Sequence, residues 1–115
     1  MDDDSRLWHV RVTVAGAEQD ASAVHDALRR LQGESPFLHS VLYDEEHAEV
    51  CYWEEGELML DAASLALRMW GEHHESASLP DWRVVGLEVV ERATFQARET
   101  ATPVSPTQVR PRRFT

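Results

Sequence analysis

Residues 57–70 read Glu57-Leu58-Met59-Leu60-Asp61-Ala62-Ala63-Ser64-Leu65-Ala66-Leu67-Arg68-Met69-Trp70. The polar positions fall at 57, 61, 64 and 68, so on a helix they share one narrow stripe and leave nearly everything else apolar. A helix on an open surface needs only one apolar stripe. This one calls for cover from more than one side, and its pattern runs on through Gly71 into Glu72-His73-His74-Glu75.

Upstream, Gly56 separates this helix from two strand-like runs, residues 37–43 and 49–54, joined by Asp44-Glu45-Glu46-His47-Ala48. A short polar connection of this kind predicts a hairpin. Phe37, Val41 and Tyr43 would lie on one side of its first strand, with Leu38 and Leu42 on the other. In the second strand Val50 and Tyr52 oppose Cys51 and Trp53, so both hairpin faces are apolar whichever register the turn sets.

Further upstream, residues 7–14 alternate, with Trp8, Val10, Val12 and Val14 on one face and His9, Arg11 and Thr13 on the other. Asp20 then suits an N-cap, and Ala21, Val24, Ala27, Leu28 and Leu31 recur at helical spacing until Gly33. Downstream, the turn around Pro80 leads to a long last strand expected over residues 82–95, in which Gly86 marks a bulge.

The order is strand, helix, strand, strand, helix, strand. Two split βαβ halves of this kind resemble the ferredoxin-like α+β fold, βαββαβ, a four-stranded antiparallel sheet with two helices on one face. The expected organisation is an acidic extension at 1–6, the domain at 7–98, and a flexible tail rich in Pro, Thr and Arg at 99–115.

Composition narrows the function. Of the formal charge of −10, residues 99–115 contribute +2 through Glu99, Arg110, Arg112 and Arg113, which leaves −12 on residues 1–98. A body that negative repels phosphate backbones, so no nucleic-acid binding is expected. No apolar run approaches the length of a membrane span, and the acidic start is unlike a signal peptide; the expected location is the cytoplasm. The single cysteine, Cys51, fits a reducing compartment. All eleven basic residues are arginine, which reads as the codon bias of a GC-rich, bacterial genome.

In the resembled fold the second sheet face is bare, and here it would inherit apolar side chains. Leu38, Leu42, Cys51, Trp53 and Val90 are therefore the expected interface, through which two copies close face to face as in dimeric α+β barrels. His9, Arg11 and Thr13, with His39 and Trp53 nearby, form the candidate ligand site, suited to a small anionic or aromatic molecule. A metal site of His39, His47 and Cys51 has no supporting spacing, and adjacent His73 and His74 point apart on a helix, so no metal or cofactor is expected. No nucleophile, P-loop or dinucleotide motif occurs.

The acidic run at 44–46 reads most simply as a solvated hairpin end, and alternatively as a seat for a basic partner or the chain's own Arg110-Pro111-Arg112-Arg113. The outer side of the 57–70 helix is either left exposed, since alanines tolerate water, or covered over Leu58, Met59 and Met69 by the C-terminal tail or a partner. The functional expectation is a non-catalytic binding or regulatory module, homodimeric through its sheet. The alternatives are a small cofactor-free enzyme of the dimeric α+β barrel type, using His9, Arg11 or His39, and an adaptor gripping a protein partner through residues 99–115.

Overall fold

The computed structural model describes residues 6–101 and 111–114. Its elements are β1 (Leu7–Ala15), α1 (Ala21–Glu34), β2 (Leu38–Tyr43), β3 (His47–Glu55), α2 (Met59–His73), β4 (Arg83–Glu91), α3 (Arg92–Ala101) and the short β5 (Arg112–Arg113). The sheet order is β4-β1-β3-β2-β5. The four long strands are mutually antiparallel, and β5 joins the β2 edge in parallel. Among the described residues the fold is α+β: four long antiparallel strands, extended by β5, with three helices.

The core lies on one sheet face. There Val10, Val12 and Val14 of β1 meet Val24, Leu28 and Leu31 of α1 and Ala66, Met69 and Trp70 of α2. The Asp20 carboxylate accepts the Ala23 N–H and caps α1 where expected. Trp70 stacks on Trp82 at 6.4 Å, and the Trp82 ring packs so closely on Gly16 that a Cβ there would meet its Cδ1 at 2.5 Å. Only glycine permits that approach.

Three expectations are corrected by the structure. First, the described residues of this chain cover α2 on one side, and Met69 is not on its outer surface. Its small residues Ala62 and Ala66, with Met69 and Trp70, face the core, while Leu60 and Leu67 point outward at 71% and 53% exposure. Alanines let the helix sit close to the sheet, and that close seat turns its leucines out. Leu58 and Met59 are exposed, whereas Met69, expected on the same outer surface, is buried.

Second, Leu38 lies in the core with Val41 and Tyr43 and is not on the open face. The β2–β3 register shifts between Leu38 and Ser40, so a bulge at His39 reverses the phase and sets Leu38 opposite Tyr52. Leu42, beyond the bulge, opposes Glu49 on the open face as expected.

Third, the last strand stops at Glu91, and residues 92–101 turn into α3 across the other sheet face. Ala93, Gln96, Ala97, Arg98 and Glu99 are strong helix formers, and they outweigh the strand preference of Thr94 and Phe95. α3 runs to Ala101, and Arg112 to Phe114 lie on the β2 edge of the sheet. The acidic extension, apart from Arg6, and tail residues 102–110 fall outside the described residues. A bulge does occur beside Gly86: Thr13 faces Gly86 and Val14 faces Val84, leaving Val85 unmatched.

Candidate functional site

Alternation along β1 decides what the open face carries. With the even positions buried in the core, His9, Arg11 and Thr13 must point the other way. The registers set three rows across the sheet. Val90, His9 and Trp53 form the first; Glu88, Arg11, Cys51 and Ser40 the second; Gly86, Thr13, Glu49 and Leu42 the third. The bulge at His39 brings that side chain over the first row. All five expected ligand-site residues, His9, Arg11, Thr13, His39 and Trp53, thus share one face, as do four of the five expected interface residues, Leu42, Cys51, Trp53 and Val90.

The first row is an aromatic cluster. Nε2 of His9 lies 2.7 Å from Nε2 of His39, so one ring donates and the other accepts. Trp53 meets His9 edge-on at 5.2 Å. The fourth member comes from α3: Phe95 stacks on His9 at 3.9 Å and meets Trp53 edge-on at 5.0 Å. Burial, followed by the positive charges of His39, Arg11 and Arg98, takes the His9 pKa down to about 4. Burial likewise lowers that of His39, while Glu99 on α3 opposes the fall. Near neutral pH the His9–His39 pair is uncharged.

The second row is electrostatic. Arg11 is held firmly protonated: burial works against its charge, but Cys51, Glu49 and Glu88 outweigh it. Cys51 is buried, and that burial raises its thiol pKa although Arg11 pulls it down. Arg98 on α3 reaches Glu88 at 3.6 Å and adds an ion pair to the aromatic contact of Phe95. Glu88 opposes Arg11 on β4, and Glu49 lies one row along on β3.

The other sequence candidates separate. Ser40 opposes Cys51. His73 Nδ1 bonds Glu34 of α1 at 2.6 Å, while His74 Nε2 turns to Asp81 at 2.5 Å. His47 lies at the hairpin end beneath Phe114, with ring centroids 4.3 Å apart. Among the described residues no group of three or more His, Cys, Asp or Glu side chains is placed to hold a metal ion. No described helix is long and apolar enough to cross a membrane.

The acidic hairpin end does receive the chain's own basic segment. Arg113 Nη2 donates to both carboxylate oxygens of Glu45 at 3.0 Å, and Phe114 N–H donates to the Tyr43 carbonyl at 2.8 Å. Sequence reasoning placed Phe95 on a strand and so missed its contact with His9. The available signal was the run of helix formers after Glu91.

A family model described as a domain of unknown function, DUF8830, matches residues 7–106. No curated protein matches the chain.

Proposed function

We propose that this chain, which belongs to the DUF8830 family, is a non-catalytic binding module on a ferredoxin-like framework that works as a homodimer. The observation that carries this reading is the apolar surface left outside along the α2–β4 edge. Leu60 and Leu67 of α2 and Val85 and Leu87 of β4 are all exposed. Contiguous exposed apolar surface on a small domain marks an interface.

The two sheet edges differ. β5, Arg113 and Phe114 close the β2 edge, whereas the nine-residue β4 has only β1 beside it among the described residues. A long, apolar, unpaired edge is a template for another strand. The occupant proposed is a second copy of β4, because the strand is nearly self-complementary. Around Leu87, Val84-Val85 mirrors Val89-Val90, and the strand begins at Arg83 and ends at Glu91. Antiparallel pairing sets the Arg83 end of each strand beside the Glu91 end of the other. Because α3 lies across part of the sheet face, pairing moves from that face to the edge.

Other features support the remaining parts of the reading. Phe95 covers the His9–His39 pair, which favours a binding role over catalysis at that pair. The buried thiol of Cys51 suits the cytoplasm. The test is Leu87→Lys combined with Leu67→Glu, followed by light scattering. Dimeric wild type and a folded, monomeric variant are expected; wild type that is monomeric at micromolar concentration overturns the proposal.

A second reading, an adaptor, draws on the bidentate Arg113–Glu45 pair. A partner's basic strand could take the place of residues 111–114 on the β2 edge. Deleting those residues should then raise capture of an Arg-rich peptide, and unchanged capture would remove this reading.

A further inference from the structure

A cavity of about 270 Å³ lies between the start of β2, the end of β3 and α2, sharing only Trp53 with the His9 cluster. Phe37, Tyr52, Glu54, Leu65, Met69 and Glu72 are among the residues lining it. Three independent features need a common explanation. Tyr52 is only 5% exposed, yet its hydroxyl has no hydrogen-bond partner among the described residues. Buried polar atoms are nearly always paired, so an orphan at a cavity wall points to an absent partner. Phe37, at the rim, is 67% exposed, an uncommon state for a phenylalanine.

The third feature is charge. Glu54 and Glu72 form no ion pair among the described residues, and the imidazole nearest to hand, His73, is engaged with Glu34. Burial, then the neighbouring charges of Glu55 and Glu72, raise the Glu54 pKa. Burial, then Glu54 and Glu72, likewise raise that of Tyr52. Both groups therefore sit in a negative field with no counter-charge paired to it among the described residues.

We propose that this cavity binds a small organic ammonium ion, its N–H groups donating to Glu54, Glu72 and the Tyr52 oxygen, and its carbon chain lying on Phe37, Leu65 and Met69. Carboxylates accept and cannot donate, and aromatic faces attract cations, so the lining suits an alkylammonium better than an anion or a neutral molecule. A bare metal ion would leave the apolar wall unused. The cavity falls just below the ~300–1,000 Å³ of sites for drug-sized ligands, which suits a short chain. The sequence contains no lysine, so no side chain of this protein supplies the ammonium, and the proposed source is a free amine or a lysine side chain of another protein. This proposal does not depend on dimerisation through β4.

The experiment is an amide NMR titration of the full chain with n-butylammonium chloride, with 1-butanol and sodium chloride as controls. Saturable shifts in the millimolar range at Phe37, Tyr52, Glu54 and Glu72 are expected with n-butylammonium alone. The Glu54→Gln, Glu72→Gln double variant should weaken binding at least about tenfold, since charge-assisted contacts are lost. Tyr52→Phe, which keeps the packing, should weaken it about threefold. Nα-acetyl-lysinamide and butane-1,4-diammonium then distinguish a side-chain source from a free amine, and binding of either supports an ammonium site. Equal shifts with 1-butanol, no saturable shift with any of the amines, or full binding by the folded double variant would overturn the proposal.

Discussion

His9 occupies the centre of the aromatic row on the open face, buried between Phe95, Trp53 and His39. An ordinary imidazole in the unfolded chain titrates near 6.5, whereas this one titrates near 4 when folded. Above pH 6.5 both states are neutral and stability is complete. As the pH falls from 6.5 towards 4 the unfolded state takes up the proton first, so stability declines. Below about 4 both states are charged and the loss levels off at no more than about 3 kcal/mol. Urea denaturation at pH 7.5 and 4.5 should show this decline, and His9→Gln should reduce it. An unchanged slope in the variant would assign the effect elsewhere. Tyr52 makes the opposite kind of demand: its orphan hydroxyl costs stability in the unliganded chain. Tyr52→Phe should therefore be neutral or stabilising by about 1 kcal/mol, read as a higher urea midpoint; a clear loss would mean that the hydroxyl has a partner.

Among the elements, α3 alters the domain most. It covers the sheet face that would otherwise be bare, holding on through Phe95 against His9 and through Arg98 with Glu88. Phe95→Ala should cost roughly 1–2 kcal/mol, less than a full core truncation because the side chain is only half-buried. It should also let the His9 pKa rise towards 6.5 as water reaches the ring. A proton NMR titration of His9 checks the second effect, and a pKa unmoved from its low value would show that Phe95 does not supply the burial. Local pattern made β1 and α1 legible: strict alternation in the first, and Asp20 followed by a regular apolar stripe in the second. The bulge at His39 was not legible, because no glycine or proline marks it and its phase reversal depends on pairing with β3. Nor was the outward turn of Leu60 and Leu67, since sequence periodicity does not reveal which of two apolar sides the sheet will take. The alanines at 62 and 66 decide that through close packing.

For the molecule as a whole, an excess of apolar side chains was readable from composition and pattern, but its location was not. The expected surplus on the open sheet face is largely absorbed: Leu38 goes into the core, Cys51 is buried, and Phe95 lies over the first row. The surplus reappears on the outer side of α2 and along β4, where Leu60, Leu67, Val85 and Leu87 meet solvent. The candidate ligand cluster was legible because strand alternation alone puts His9, Arg11 and Thr13 together. Its closure by Phe95 was not, since it depends on a helix whose residues resemble the end of a strand. The proposed homodimer rests on the α2–β4 surface, and sedimentation equilibrium over a dilution series tests it most directly. A mass of twice the 13.1 kDa chain at micromolar concentration, falling to one chain in the Leu87→Lys, Leu67→Glu variant, is the predicted result; a single-chain mass for the wild type across the whole series would contradict it.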